Sequence, residues 1–120
     1  MSKKMEKAYH KRFEEIKHTD ETGIEFWYAR ELQHVLDYKE WRKFENVINK
    51  AKQSCNNSGI SAFEHFVEAD KTIKMPKGAQ KKISDYKLTR YACYLIAQNG
   101  DSRKEVIALA QTYFAIQTRK

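Results

Sequence analysis

The spacing of apolar residues predicts a helix followed by a short strand in the first third of the chain. Apolar residues between Met5 and Ile16 lie three and four positions apart, which is typical of an amphipathic helix. Apolar and aromatic residues recur at every second position from Ile24 to Tyr28, which predicts a strand. If this strand pairs with residues 13–17, the first helix ends earlier, and the periodicity leaves both arrangements open.

The middle of the chain has the spacing of a helix-turn-helix unit. Residues 30–36 and 40–55 are each predicted to be helical, and Asp37-Tyr38-Lys39 forms the turn between them. In such a unit the second helix can enter the major groove of DNA and present its polar face to base edges. The alternative is an ordinary pair of packed helices with a solvated face, which produces the same pattern.

A β-hairpin with a basic tip is predicted next along the chain. Two apolar segments, residues 72–75 and 83–88, flank a polar connection that contains Pro76 and Gly78. This connection, residues 76–82, includes three lysines. Beside a helix-turn-helix unit, such a hairpin would act as a wing that places its lysines against phosphates.

Three more helices complete the predicted fold. A short helix is predicted across Phe66 and Val67, a second begins after Thr89, and a third fills most of the C-terminal segment. We therefore expect one helix-dominated α+β domain over residues 1–120, with one or two small β-hairpins. Residues 1–12 are expected to form a basic, frayed arm.

Charge is unevenly distributed along the chain. The sequence has 23 Lys and Arg against 16 Asp and Glu, a net charge of +7. Residues 71–90 carry seven basic residues against one acid, whereas residues 13–38 carry seven acids against two basic residues. A basic block of this kind favours a polyanionic partner, and the alternative is a solvated surface that keeps the protein in solution.

A DNA-contacting surface is expected on the polar face of helix 40–55 and on the hairpin. Arginine and lysine there can donate to phosphate or guanine, and asparagines such as Asn49 can pair with adenine. The predicted nucleic-acid-binding residues are Arg42, Lys43, Asn46, Lys50, Lys74, Lys77, Lys81, Lys82 and Arg90. Trp27, Tyr38 and Trp41 are expected in the core or at hinges rather than as platforms for base stacking.

Neither catalysis nor metal binding is predicted. Cys55 and Cys93 lie on apolar helical faces, where a cysteine is commonly a small buried hydrophobe. The sequence has no HxxxH or CxxC spacing and no glycine-rich phosphate loop. We therefore expect a non-enzymatic protein without a cofactor. A cytoplasmic location without membrane contact is expected, because the chain lacks a secretory segment and a membrane-length apolar run.

Several runs of residues resemble the DNA damage-inducible protein D (DinD) family. They are FEEIK (13–17), FWYAREL (26–32), WRKF (41–44), VINKA (47–51), KLTRYACYLIAQNGD (87–101) and AQTYFAIQTR (110–119). The resemblance spans residues 13–119. It implies an N-terminal domain similar to the BRO-type N-terminal domain of phage and viral proteins, which is regarded as DNA-binding.

The resemblance also implies a biological setting. Members of the DinD family belong to the bacterial SOS response and are linked to modulation of the recombinase filament on single-stranded DNA. They are longer than this chain, so a C-terminal domain is expected to be absent. BRO-type domains often have Gly where this chain has Asp37, and Asp tolerates a left-handed turn better than most residues. The family supplies no catalytic set.

The sequence thus predicts a DNA-binding module of a cytoplasmic, nucleoid-associated protein of the DNA-damage response. Its expected partners are DNA, single- or double-stranded, and the bacterial recombinase RecA. The alternative is a protein-interaction module that docks on the recombinase through the acidic segment 13–38 or through an aromatic surface, and that contacts DNA only indirectly.

Overall fold

The structure is a computed structural model that describes residues 3–118. Its α-helices are α1 (Lys3–Glu15), α2 (Ala29–Val35), α3 (Trp41–Asn57), α4 (Ala62–His65), α5 (Arg90–Gln98) and α6 (Glu105–Thr118). Its strands are β1 (Lys17–Thr19), β2 (Glu25–Tyr28), β3 (Phe66–Glu68), β4 (Lys71–Lys74), β5 (Gln80–Ile83) and β6 (Tyr86–Leu88), with a 3-10 turn at Pro76–Gly78. The predicted helix-dominated α+β fold is confirmed.

A four-stranded antiparallel sheet supports the helices on one of its faces. Its strand order is β1-β2-β6-β3, and Trp27, Leu88 and Phe66 lie side by side on the buried face. The indole N–H of Trp27 donates to the backbone carbonyl of Phe13 at 3.0 Å, so this large buried ring has no unsatisfied donor. Cys55 is buried in α3 of the same core, as predicted.

The N-terminal third resolves the open question about the first helix. Strand β2 pairs with β1, with Lys17 opposite Trp27 and Thr19 opposite Glu25, and α1 ends just before β1. Residues 3–12, which were expected to form a frayed arm, lie within α1, and residues 1–2 lie outside the described part of the chain.

Both helices of the predicted helix-turn-helix unit are present as α2 and α3. The turn between them depends on Asp37, whose φ of 61° is in the left-handed region that favours glycine. The Tyr38 N–H donates to the carbonyl of Gln33, and the Gln33 side-chain amide donates back to the Tyr38 carbonyl at 2.9 Å. Asp37 therefore adopts the left-handed conformation at the position where BRO-type domains often have Gly.

Two details of the predicted hairpin region were wrong. Phe66 and Val67 are not helical, because α4 stops at His65 and the next three residues pair with β6, placing Phe66 opposite Leu88. The hairpin tip is also shorter than residues 76–82, because β5 already begins at Gln80. Lys81 and Lys82 consequently lie on a strand and not in the turn.

Strands β3 to β6 together form one long hairpin, which we define as residues 66–88. The register that places Glu68 opposite Tyr86 continues without a shift to Lys71 opposite Ile83 and Lys74 opposite Gln80. The N–H of Ala69 donates to the carbonyl of Asp85 across the gap between the two strand pairs. The base of the long hairpin thus belongs to the four-stranded sheet, while its outer half extends beyond it as a two-stranded ribbon.

Candidate nucleic-acid interface

A column of stacked cations and aromatic rings fixes the base of the long hairpin against α2 and α3. The Arg30 guanidinium lies 3.8 Å from the ring centre of Trp41, and the Trp41 ring stacks on Tyr86 with centroids 6.4 Å apart. The ammonium of Lys52 covers the other end of the column, 4.3 Å from the Tyr86 ring centre. Such contacts are attractive because the ring faces are electronegative.

Hydrogen bonds strengthen the same anchor. Arg30 donates through Nε to the Ser84 carbonyl at 2.8 Å. The carboxylate of Asp85, which is only 3% exposed, accepts from the backbone N–H of Arg30 at 3.0 Å and of Tyr86 at 2.8 Å. The position of the hairpin relative to α2 and α3 is therefore set by polar contacts as well as by packing.

The two faces of the projecting ribbon differ in chemistry. Residues directly opposite each other in an antiparallel pair share a face, and successive residues of a strand alternate between faces. The inner face, which continues the core-facing side of β3 and β6, consists of Thr72, Lys74, Gln80 and Lys82. The outer face consists of Lys71, Ile73, Lys81 and Ile83.

Lys81 and Lys82 therefore do not act together, although they are neighbours in sequence. Lys82 shares the inner face with Lys74, its diagonal neighbour, whereas Lys81 lies on the outer face beside partly buried isoleucines. Lys77 lies at the tip, in a left-handed conformation with φ of 64°. All four lysines are exposed, and none of them forms an ion pair within the described part of the chain.

The predicted residues of α3 are all exposed, but they are spread around the helix. Lys52 lies on the side of α3 that adjoins Tyr86. Because successive residues of a helix are rotated by about 100°, Arg42 is rotated roughly 80° from Lys52 about the helix axis. Lys50 and Lys43 lie roughly 160° and 180° from Lys52, on the far side of the helix. Lys43 also lies 4.0 Å from the carboxylate of Glu40.

The rotation of α3 and the pairing register of the ribbon indicate that only part of the predicted set faces the same side. Arg42 lies on the hairpin side of α3, and Lys74, Lys77 and Lys82 lie on the inner face and tip of the long hairpin. We call these four residues the basic surface. By the same rotation, Asn49 lies roughly 60° from Lys52, on the same side as Arg42, and Asn46 lies roughly 120° from Lys52; both are exposed. Lys43, Lys50 and Lys81 point away from the basic surface.

Arg90 was wrongly included in the predicted set, because its guanidinium is part of the protein interior. Its side chain is 12% exposed and donates through Nε to the Glu25 carboxylate at 3.0 Å. It also lies 4.9 Å from the ring centre of Trp27 and 5.1 Å from that of Tyr113. Desolvation lowers the pKa of Arg90, but the hydrogen bonds and charge interactions with Glu25 and Tyr113 together outweigh it, so the pKa is raised overall.

The acidic segment 13–38 uses several of its carboxylates within the fold. Burial raises the pKa of Glu14, but hydrogen bonds from Tyr113 and Lys17 outweigh it, and the pKa lies below its usual value. Glu31 accepts from His18 at 2.6 Å, and Glu25 is paired with Arg90. This segment therefore presents fewer free carboxylates to a partner than its sequence indicates.

Sequence reasoning missed the anchor residues Arg30, Lys52 and Tyr86. The spacing between Trp41 and Lys52 is eleven residues, or about three helical turns, and this spacing indicates that both lie on one side of α3. Nothing in the sequence indicates that Tyr86 packs between them, because it belongs to a distant strand.

Residues 3–118 were also searched for metal sites and for membrane-spanning helices. They contain no group of three or more His, Cys, Asp or Glu side chains arranged to hold a metal ion. None of their helices has both the length and the apolar character that a membrane span requires.

This α+β domain with a basic hairpin belongs to the BRO family, N-terminal domain, whose profile matches residues 15–115. The chain is also 48% identical over 112 residues to DNA damage-inducible protein D of Escherichia coli strain K12. That alignment covers 93% of this chain and 41% of the relative, so the chain spans less than half of the relative's length. The resemblance inferred from the sequence is thereby confirmed. No solved structure matches the chain.

Proposed function

We propose that this domain binds DNA along the basic surface formed by the long hairpin and the adjoining side of α3. The observation that carries the proposal is the projecting ribbon, which has five lysines and no acid between positions 71 and 83. None of these lysines is paired with a carboxylate of the described residues, so their charge is available to a phosphate.

The geometry of the inner face suits a phosphate backbone. Diagonal neighbours on a two-stranded ribbon such as Lys74 and Lys82 have backbones about 7–8 Å apart, and their long side chains can reach adjacent phosphates. Binding releases the counterions condensed on DNA, which supplies most of the affinity. Arg42, Asn46 and Asn49 on α3 are the residues able to read base edges beside this contact.

We further propose that the domain acts, without catalysis, in a cytoplasmic and nucleoid-associated protein of the DNA-damage response. The support is its membership of the BRO family and its 48% identity to a protein named DNA damage-inducible. Modulation of the recombinase RecA remains a prediction. Direct docking of RecA on the acidic segment 13–38 is disfavoured by the internal use of Glu14, Glu25 and Glu31.

A salt titration of DNA binding tests the proposal. Fluorescence anisotropy would measure the affinity of the chain for one labelled oligonucleotide, single-stranded and as a duplex, at several salt concentrations. The four cations of the basic surface predict log–log slopes of about −3 on the single strand and about −3.6 on the duplex. A slope near zero on both would contradict phosphate binding, and retention of RecA by the same protein would then favour the docking module.

A further inference from the structure

An exposed aromatic ring adjoins the base of the long hairpin. Phe63 in α4 is 90% exposed, more than any other large apolar side chain of the described residues. A Phe ring that stays in water forgoes the stabilisation that burial would give, so such a position calls for an explanation. The ring lines a cavity of about 420 Å³ between α3, α4 and the edge strand β3.

The lining of this cavity combines a flat apolar surface with a few polar groups. Ala62, Phe66 and Val67 join Phe63 in the apolar part, and Lys52, Asn56 and Glu68 contribute the polar groups. The side-chain oxygen Oδ1 of Asn56 accepts from the backbone N–H of Ala62 at 3.1 Å, and this bond fixes the orientation of the Asn56 side-chain amide. Its NH₂ group makes no hydrogen bond to the described residues and is free to donate to a ligand.

We propose that this cavity receives one unpaired nucleobase of single-stranded DNA, stacked on Phe63. The inference rests on the proposed DNA-binding function and adds the kind of strand that is bound. Aromatic side chains stack on unpaired bases, whereas the bases of a duplex are already paired and stacked and cannot enter. The free Asn56 donors and the Glu68 carboxylate match the acceptors and amino groups of a base edge.

Charge and position connect the cavity to the basic surface. Lys52 provides a cation at the cavity wall, and it also forms one end of the column that anchors the hairpin. Glu68, at the other wall, lies three residues before Lys71, the first residue of the projecting ribbon, so a strand that follows Lys82 and Lys74 toward the domain approaches the cavity. A second cavity, on the opposite face of the sheet, is lined by three carboxylates and two lysines, and two of those carboxylates are already hydrogen-bonded to His18 and to backbone N–H groups.

The test compares strands with and without bases. Anisotropy would measure binding of the 120-residue chain to an oligothymidine of about 12 nucleotides and to an abasic strand of equal length. The chain should bind oligothymidine about 5- to 150-fold more tightly, and Phe63→Ala should abolish that preference without weakening binding to the abasic strand. Phe63→Tyr should retain it. Ile24→Ala, which removes another exposed apolar side chain, is the matched control and should change neither affinity.

Two results would overturn the inference in different ways. If Phe63→Ala keeps the full preference for oligothymidine, stacking on Phe63 is wrong while the proposed DNA binding stands. If the unmodified chain binds neither strand, the proposed function itself fails. Sedimentation of the free chain adds a further check, because a dimer that dissociates on Phe63→Ala, with strand preference intact, would show that a second copy covers the ring.

Discussion

The two faces of the projecting ribbon provide a test in which net charge is held constant. Lys74→Gln with Lys82→Gln removes two charges from the inner face, and Lys71→Gln with Lys81→Gln removes two from the outer face. Both double variants change the same hairpin by the same charge, and all four side chains are exposed. A difference in DNA affinity between them therefore reports the direction in which the lysines point.

The size of the expected difference follows from counterion release. Each phosphate contact contributes about 0.7 to the log–log salt slope on single strands and about 0.9 on duplex DNA. Loss of both inner-face contacts should reduce the slope by about 1.4 or about 1.8, which at about 0.1 M salt corresponds to a roughly 25-fold or 60-fold weaker affinity. The outer-face variant should lose only the long-range attraction of two distant charges, which salt largely screens.

Anisotropy titrations of both double variants at four salt concentrations would measure these slopes. Thermal melting should show that both variants are as stable as the parent chain, since exposed lysines without ion pairs contribute little to folding. Equal losses of slope in the two variants would refute the assignment of an inner binding face. A larger loss in the outer-face variant would place the DNA on the opposite side of the ribbon.

Four other substitutions test individual parts of the structure. Arg90→Leu should lower the free energy of unfolding by about 3 kcal/mol in urea titrations, because it leaves the Glu25 carboxylate unpaired beside the core. Adding Glu25→Leu removes that unpaired charge and should recover much of the loss. Unchanged stability of Arg90→Leu would contradict the structural role of this pair. Trp41→Ala should cost about 2–3 kcal/mol, less than for a fully buried tryptophan, and a negligible cost would refute its place in the column. Asp37→Gly should raise the free energy of unfolding by about 0.5–1 kcal/mol by relieving the left-handed backbone, and a loss would show that Asp is preferred there. The lowered pKa of Glu14 means that its stabilising effect is present above about pH 4.5 and is lost as the pH falls through the folded-state pKa. The melting temperatures of the parent and Glu14→Gln should therefore differ more at about pH 7 than at about pH 3, and an equal difference at both would contradict the assignment.

The helices were predictable wherever a long periodic pattern faces the core. In α3, Phe44, Ile48, Ala51 and Cys55 lie three and four residues apart, and all four are buried. A helix was predicted to begin after Thr89, and the Thr89 hydroxyl caps α5 by accepting from the N–H of Ala92. Both the buried stripe of α3 and the start of α5 depend on residues within a few positions of one another, so the local sequence is enough to predict them.

Features that depend on distant partners were not predictable. Arg90 looked like one more cation of the basic block, but its partner Glu25 lies 65 residues earlier in the chain. Phe66 and Val67 looked like part of a helix because a short apolar run is ambiguous, and their strand pairing depends on Leu88 and Lys87.

The candidate site shows the same limit. The basic block itself was evident from composition, but the separation of Lys81 from Lys82 required the pairing register of β4 with β5. The exposure of Phe63 was not evident either, because the predicted short helix gives no indication of which of its aromatic residues the core will accept.

Mapping DNA contacts by NMR would show whether DNA binds to the projecting ribbon and the adjoining side of α3. An ¹⁵N-labelled sample of the chain would be titrated with a short single-stranded oligonucleotide while amide chemical shifts are followed residue by residue. We expect the largest shifts in residues 72–82 and on the hairpin side of α3 around Arg42, with little change in the acidic segment 13–38. Shifts confined to residues 13–38, or no shifts at low salt, would contradict it.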